Sequence, residues 1–297
     1  MTKKLFSLKS IVFYCSLLLF PFVFNSCHLF EPPSDIPSYI HIDSIGFTSD
    51  PFTQGSNSHK ITDAWVYVDQ NLLGVYELPA TFPVLASGTH EIDIKAGIMI
   101  DGIASSRGTY PFYTIYTQNV NLIKDNIDTI KPIVTYYPVT NFTWMENFEN
   151  ASISLSVPPD YKNSDTLVAI NSSQGAFEGN FSEELYLLNS SSAFMCTSDT
   201  FFSLPTDGRI VYLEMNYKTE NTIGVGVVPI GLSTFFNPDT VLQIKPSASW
   251  NKIYVDLTSV VGVYPNAIGF KIFFGGYLDP GVINPHIYFD NLKLIHQ

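Results

Sequence analysis

Alternation of apolar and polar positions dominates this 297-residue chain, and long runs of helical period are missing. In AWVYVD, Trp65, Tyr67 and Asp69 share one face and Val66 and Val68 the other. THEIDIKAG sets Ile92 and Ile94 against Glu91, Asp93 and Lys95. Between these runs Asn71 and Gly74 suit a tight turn, and Pro79 and Pro83 mark strand ends. RIVYLEMNYKT puts Val211, Leu213, Met215 and Tyr217 on one face, with Tyr212, Glu214 and Asn216 opposite. NTIGVGVVPIG opposes Ile223, Val225 and Val227 to Gly224 and Gly226. WNKIYVDL opposes Ile253, Val255 and Leu257 to Trp250, Lys252, Tyr254 and Asp256. AIGFKIFFGG and HIYFDNLKLI complete the set. A period of two, punctuated by Gly, Pro, Asn and Asp, predicts an all-β protein. Pro138 and Asn141 interrupt the pattern and divide the chain into a first domain over 38–137 and a second over 138–297.

The amino end has a different pattern. Lys3, Lys4 and Lys9 precede an apolar run of 14 residues, Ile11 to Phe24. A spanning helix needs about 20 residues, so the run fits the apolar core of a secretory signal better than a membrane anchor. FNSC, Phe24 to Cys27, resembles a bacterial lipobox, although Phe24 and Asn25 depart from the commonest form. The resemblance implies cleavage after residue 26 and lipid on Cys27, which then anchors the chain in the membrane. His28 stands where Asp would signal inner-membrane retention, so the expected address is the outer membrane. Residues 27–37 contain EPPSDIP and read as a Pro-rich tether.

Charge narrows the partners. Removing Lys3, Lys4 and Lys9 with residues 1–26 leaves 12 of the 15 basic residues against all 27 acidic ones, a balance of −15. Such a surface repels nucleic acid. With Cys15 removed and Cys27 lipidated, Cys196 has no intramolecular disulfide partner and reads as a small buried hydrophobe.

Two resemblances refine the fold. The stretch Val66 to Gly97 has a strand ending in Val68-Asp69, a turn with Gly74, Pro79 after a short strand, and Gly88-Thr89-His90 before an alternating strand. It resembles the PEGA class of small β-sandwiches, which implies display or spacing rather than catalysis. The second domain carries Phe148-Glu149, Trp250 to Leu257 as W-x-K-ϕ-x-ϕ-D-L, and Ile287 to Leu294 as ϕ-x-ϕ-D-N-ϕ-x-ϕ, where ϕ is apolar. It resembles the jelly-roll β-sandwich of carbohydrate-binding modules and galactose-binding-like domains. The expected architecture is therefore an N-terminal small β-sandwich followed by a C-terminal jelly roll.

That resemblance implies a structural calcium joining first and last strands, with Glu146, Glu149 and Asp290 as its carboxylates. The residue-level alternative is a local turn at Asp290 and solvated glutamates. For ligand binding, Tyr212, Glu214, Asn216, Trp250, Tyr254 and Asp256 would form a sugar platform, provided that the three alternating runs are neighbours. Gly224 and Gly226 would then open a groove between the aromatics. The alternative is that Trp250 and Tyr254 cover a sheet edge. No P-loop, dinucleotide fingerprint, G-x-S-x-G or H-E-x-x-H occurs in the sequence, and the chain reads as non-catalytic. The expected function is an envelope lipoprotein that binds glycan or another envelope protein. The rivals are a structural subunit and a glycan-acting hydrolase.

Overall fold

The computed structural model describes residues 35–150, 154–158, 165–171 (main chain only), 175–187, 193–231 and 237–297. Cys27, and with it the expected lipidation site, lies outside the described residues.

The first lobe holds ten strands. In chain order they are β1 (Ser38–Ile42), β2 (Gly46–Phe47), β3 (Asp63–Val68), β4 (Asn71–Glu77) and β5 (Ala80–Val84). Then come β6 (Gly88–Met99), β7 (Arg107–Thr109), β8 (Tyr116–Leu122), β9 (Ile127–Ile130) and β10 (Ile133–Val134). One sheet has the order β5-β1-β9 and a second β4-β3-β6-β7, with β8 also on β6. β2 and β10 form a short parallel pair. Period-two alternation works as expected here. Ala64, Val66, Ile92 and Ile94 point inward and meet Ile40, Ile42 and Phe82 in one core. Each of the Val, Ile and Phe side chains contributes roughly 1.5–3 kcal/mol by leaving water.

The expected turn is displaced. Asp69 and Gln70 have φ of 48° and 68° and form the reversal, so Asn71 begins β4. Positive φ at both central positions is the hairpin geometry that matches strand twist. Gly74 sits inside β4, where a Cβ would come within 2.7 Å of the Tyr76 hydroxyl. Pro83 likewise lies within a strand, on the edge strand β5, where its missing N–H costs no ladder bond.

The second lobe continues with β11 (Asn141–Glu146), β12 (Leu155–Ser156), β13 (Asp165–Asn171), β14 (Phe181–Leu187), β15 (Ala193–Ser198) and β16 (Val211–Thr219). It ends with β17 (Ile223–Ile230), β18 (Asp239–Ile244), β19 (Ser247–Asp256), the short helix α1 (Thr258–Gly262), β20 (Gly269–Tyr277) and β21 (His286–His296). These strands make a jelly-roll sandwich of two sheets. The inner sheet, against the first lobe, runs β13-β14-β21-β16-β19 with β11 also on β21; the outer sheet runs β12-β15-β20-β17-β18. The inward faces read from the sequence meet in one core. Val211, Leu213 and Met215 come from one sheet, Ile223, Val225 and Val227 from the other. Cys196 is buried there too. Phe148-Glu149, expected in an early strand, follows the end of β11, and Phe148 turns the chain at φ 58°.

The lobes are joined by packing. Tyr212, Tyr254 and Ile295 of the second lobe belong to the apolar cluster of the first, among Tyr110, Phe112, Tyr113 and Tyr136. Asp101 N donates to Tyr254 O at 3.0 Å, and Ile100 forms a parallel bridge with Tyr254.

Candidate functional site

The expected platform requires β16, β17 and β19 to be neighbours. β16 and β19 are neighbours, paired from Tyr212–Asp256 to Thr219–Ser247. β17 lies in the opposite sheet, between β18 and β20. Strands β16 and β17 bury their apolar faces on the same core from opposite sides, so their outward faces point away from each other. Gly224 and Gly226 therefore cannot open a groove beside Tyr212 or Trp250.

The outward face of β16 and β19 is covered by the first lobe. Tyr212, Glu214, Asn216 and Tyr254 are buried, while Trp250 and Asp256 are half-buried. Tyr212, Glu214 and Tyr254 thus have no surface to offer a sugar, and Asn216 is reached from a small cavity beside Trp250. At the centre Glu214 is 0% exposed. Its Oε1 accepts from the hydroxyls of Tyr110 at 2.8 Å and Tyr136 at 2.7 Å, both from the first lobe. Lys252 Nζ approaches Oε2 at 2.9 Å, an ion pair of close approach without hydrogen-bond alignment. Lys293 Nζ donates to Ser56 O at 2.6 Å and to the Tyr136 hydroxyl at 3.2 Å. Burial works against the Glu214 charge, but Lys252 and Lys293 outweigh it and hold the carboxyl below its usual range. Burial also pushes Lys293 down to about 8. This constellation is a lock between lobes, with each charge answered inside the protein.

Trp250 donates its Nε1–H to Gly175 O at 3.0 Å and packs edge-on to Phe177. Asp256 caps the turn into α1, accepting from Thr258 N at 2.9 Å.

The three expected calcium carboxylates do not converge. Glu146 accepts from Phe148 N at 2.8 Å and from Ser154 N at 3.2 Å. Glu149 accepts from Asn180 N and Phe181 N at 2.6 and 2.8 Å; burial opposes its charge, but these amides hold its carboxyl below its usual range. Asp290 accepts from Phe177 N, Glu178 N and Asn291 N, yet burial pushes it up to about 7. No group of three His, Cys, Asp or Glu side chains suited to a metal ion occurs among the described residues. A residue missed in the sequence stands beside Glu146. Glu183 is 0% exposed, neither carboxylate oxygen has a hydrogen-bond partner among the described residues, and burial with the Glu146 charge raises it to about 8. It occupies an inward position of β14, in line with Leu185 and Leu187, where alternation predicts an apolar residue.

The accessible concavity is on the outer sheet. Gly224 of β17 pairs with Gly275 of β20. A Cβ on Gly275 would meet Phe194 O at 2.7 Å, and one on Gly224 would meet Gly275 O at 3.0 Å. Small residues on facing strands lower the floor of a groove of about 430 Å³. Phe273 lies in it and packs with Met195, Val228 and Ile230. Tyr277 stands at its end, 77% exposed. Thr240, Gln243 and Lys245 supply polar groups along the β18 side. An apolar floor beside hydroxyl, amide and ammonium groups suits a ligand with one C–H face and several hydroxyls. The paired glycines of NTIGVGVV and IFFGG were the sequence signal, since glycine inside a strand often marks close approach of a ligand or backbone.

No protein-family model matches the chain, and no curated protein matches it in sequence. Among solved structures, it is similar to the enzymatically active domain of bacteriophage CBA120 tailspike protein 4, at 15% identity and TM-score 0.39 over 51% of this chain and 20% of that one. The CBM22-1–GH10 modules of Clostridium thermocellum xylanase 10B, complexed with xylohexaose, match at 12% identity and TM-score 0.39, over 52% and 28%. The matches span only about a fifth and a quarter of those two proteins. The family 11 carbohydrate-binding module of Clostridium thermocellum, with a mixed-linked tetrasaccharide, matches at 14% identity and TM-score 0.36, over 50% and 93%. At TM-scores below 0.5 these likenesses say nothing about the ligand of this chain.

Proposed function

We propose that this protein is a non-catalytic envelope lipoprotein that binds glycan in the glycine-floored groove of the outer sheet. The observation that carries the reading is the groove itself. It is an open concavity where the exposed Tyr277 can meet a sugar ring over a floor edged by the buried Phe273, while Thr240, Gln243 and Lys245 take its hydroxyls. The first lobe, PEGA-like in sequence, acts as the spacer between groove and membrane. Lipid on Cys27 anchors the chain in the outer membrane. A glycan array probed with the full mature chain tests the binding; a blank array on folded protein would overturn it. Replacing Cys27 by Ala should abolish labelling by a lipid precursor, and persistent labelling would sink the anchor.

The rival, a structural subunit, draws on a separate observation. Ile36, Leu85 and Ile123 are exposed aliphatic side chains in segments brought together at one end of the first lobe, where Ser38 Oγ donates to Ala86 O and Asp125 N to Pro37 O. A protein partner at that end would be captured by crosslinking in native membranes.

A further inference from the structure

The boundary between the lobes contains a cleft that the lock around Glu214 does not fill. Its volume is about 380 Å³, and its walls come from both lobes: Lys60 and Asp101 to Ile103 on one side, Tyr217, Leu242 to Ser247 and Asn251 to Ile253 on the other. A second cavity of about 240 Å³ shares Lys60, Asn251 and Lys252 with it and extends to His59, Trp250 and Asn216.

The charges here run against the rest of the molecule. Twelve basic residues follow residue 26, and three of them, Lys60, Lys245 and Lys252, line this one cleft. Lys252 is committed to Glu214. Lys60 and Lys245 form no ion pair among the described residues. Lys60 is held in place at both ends: its main-chain N donates to the Tyr254 hydroxyl at 2.8 Å, and its Nζ to Asn251 Oδ1 at 2.6 Å. Its ammonium therefore stands fixed in the cleft without an ion-pair partner among the described residues. The carboxylate on the lining besides these lysines is Asp101, which burial pushes up and which gives one oxygen to Asp256 N. A second observation lies at the floor of the smaller cavity. Asn216 is 1% exposed, and neither its amide nitrogen nor its oxygen has a hydrogen-bond partner among the described residues. A buried amide left unanswered is costly, so a polar group that enters beside it is favoured.

We propose that the cleft between the lobes is a binding site for an acidic saccharide, held by its carboxylate on Lys60 and Lys245. The rest of the lining suits the neutral part of such a ligand. Gln243 can take hydroxyls on the larger cavity's wall, Asn216 on the smaller one's floor, and the rings of Tyr217 and Trp250 offer apolar surface. The cleft shares Gln243 and Lys245 with the edge of the outer-sheet groove, but Lys60, Asp101 and Tyr217 line the cleft and not the groove, so it does not depend on that groove holding a glycan. It assigns the anionic part of recognition to the lobe junction, so a ligand senses both lobes at once.

Titration calorimetry with trigalacturonate on the full mature chain tests this, with the fully methyl-esterified trisaccharide as a neutral partner of the same shape. The acid should bind at least tenfold tighter than the ester, and raising salt from low ionic strength to about 0.3 M should weaken it several-fold as the charges are screened. Lys60→Gln should weaken binding about tenfold, and Lys60→Arg should retain most of it. Lys245→Gln, at an exposed position that folding does not need, should weaken binding as well. Equal affinity for acid and ester, no binding at millimolar trisaccharide, or undiminished binding in Lys60→Gln would each overturn the proposal. Loss in Tyr277→Ala with Lys60→Gln unaffected would place the sugar in the outer-sheet groove, overturning the cleft while leaving the groove reading intact.

Discussion

β16 and β17 are consecutive strands with the same alternation, and both send every second residue into one core. Their outward faces have opposite fates. The outward side of β16 carries Tyr212, Glu214 and Asn216, the richer set of functional groups, and the first lobe covers Tyr212 and Glu214 while a small cavity remains at Asn216. The outward side of β17 carries Gly224, Gly226, Val228 and Ile230, with little chemistry of its own, and Gly224 helps to floor the open groove. The difference teaches that chemically rich outward positions are not by themselves a site. Glu214 is surrounded by the donors of its own chain, whereas the glycines of β17 and β20 leave space for someone else's.

The comparison would break most visibly at Glu214. Glu214→Ala leaves Lys252 and Lys293 buried without their anion and two tyrosine hydroxyls without their acceptor. Removing one partner of a buried pair costs about 3–5 kcal/mol. A loss of that size in denaturant unfolding would confirm a lock, and it should come with earlier protease cleavage between the lobes. A loss under about 1 kcal/mol would mean that water replaces the first lobe's contacts readily and that the face can open.

Alternation made the inward positions legible. Val66, Ile92, Val211, Ile223 and Val255 are all buried as the period of two requires. Sheet membership was not legible, because alternation assigns faces and says nothing of which strand lies alongside. The turn at Asp69–Gln70 was missed by two residues, since Asn71 and Gly74 carry stronger turn propensity than the pair that adopts positive φ. The calcium set Glu146, Glu149 and Asp290 came from resemblance, and main-chain amides claimed those carboxylates, Phe148 N for Glu146, the distant Asn180 and Phe181 for Glu149, and Phe177, Glu178 and Asn291 for Asp290. Glu183 was invisible for the opposite reason. An acidic residue in an alternating strand reads as outward, and only the fold shows it turned into the core beside Glu146.

Glu183 sharpens the comparison, because it is a buried acid with no Lys to answer it. Its carboxyl is raised from the ordinary 4.5 to about 8 by burial first and the Glu146 charge second. Between those pH values the folded protein holds a proton that the unfolded chain has released. Stability from this group therefore falls as pH rises across the window, by about 1.4 kcal/mol per pH unit. Asp290, raised to about 7, acts in the same direction. Glu183→Gln should remove one proton's share of the slope and raise the thermal midpoint at pH 8, while Glu214→Ala lowers it. An unchanged slope would show that Glu183 ionises freely in the folded state.

The smallest effect is expected on the open side. Tyr277 is mostly in water, so Tyr277→Ala should leave stability within about 0.5 kcal/mol, as surface substitutions usually do. Its ring stands at the end of a groove whose floor is already apolar. Losing one aromatic contact there should cost a bound glycan about 1 kcal/mol, a several-fold weaker affinity. That pairing of a silent stability change with a measurable binding change is the signature of a face built for a partner. The reverse pairing, stability lost and affinity kept, would mean that Tyr277 closes the end of the sandwich as Tyr254 closes the other face. The groove would then rest on Phe273 and the β18 side chains alone.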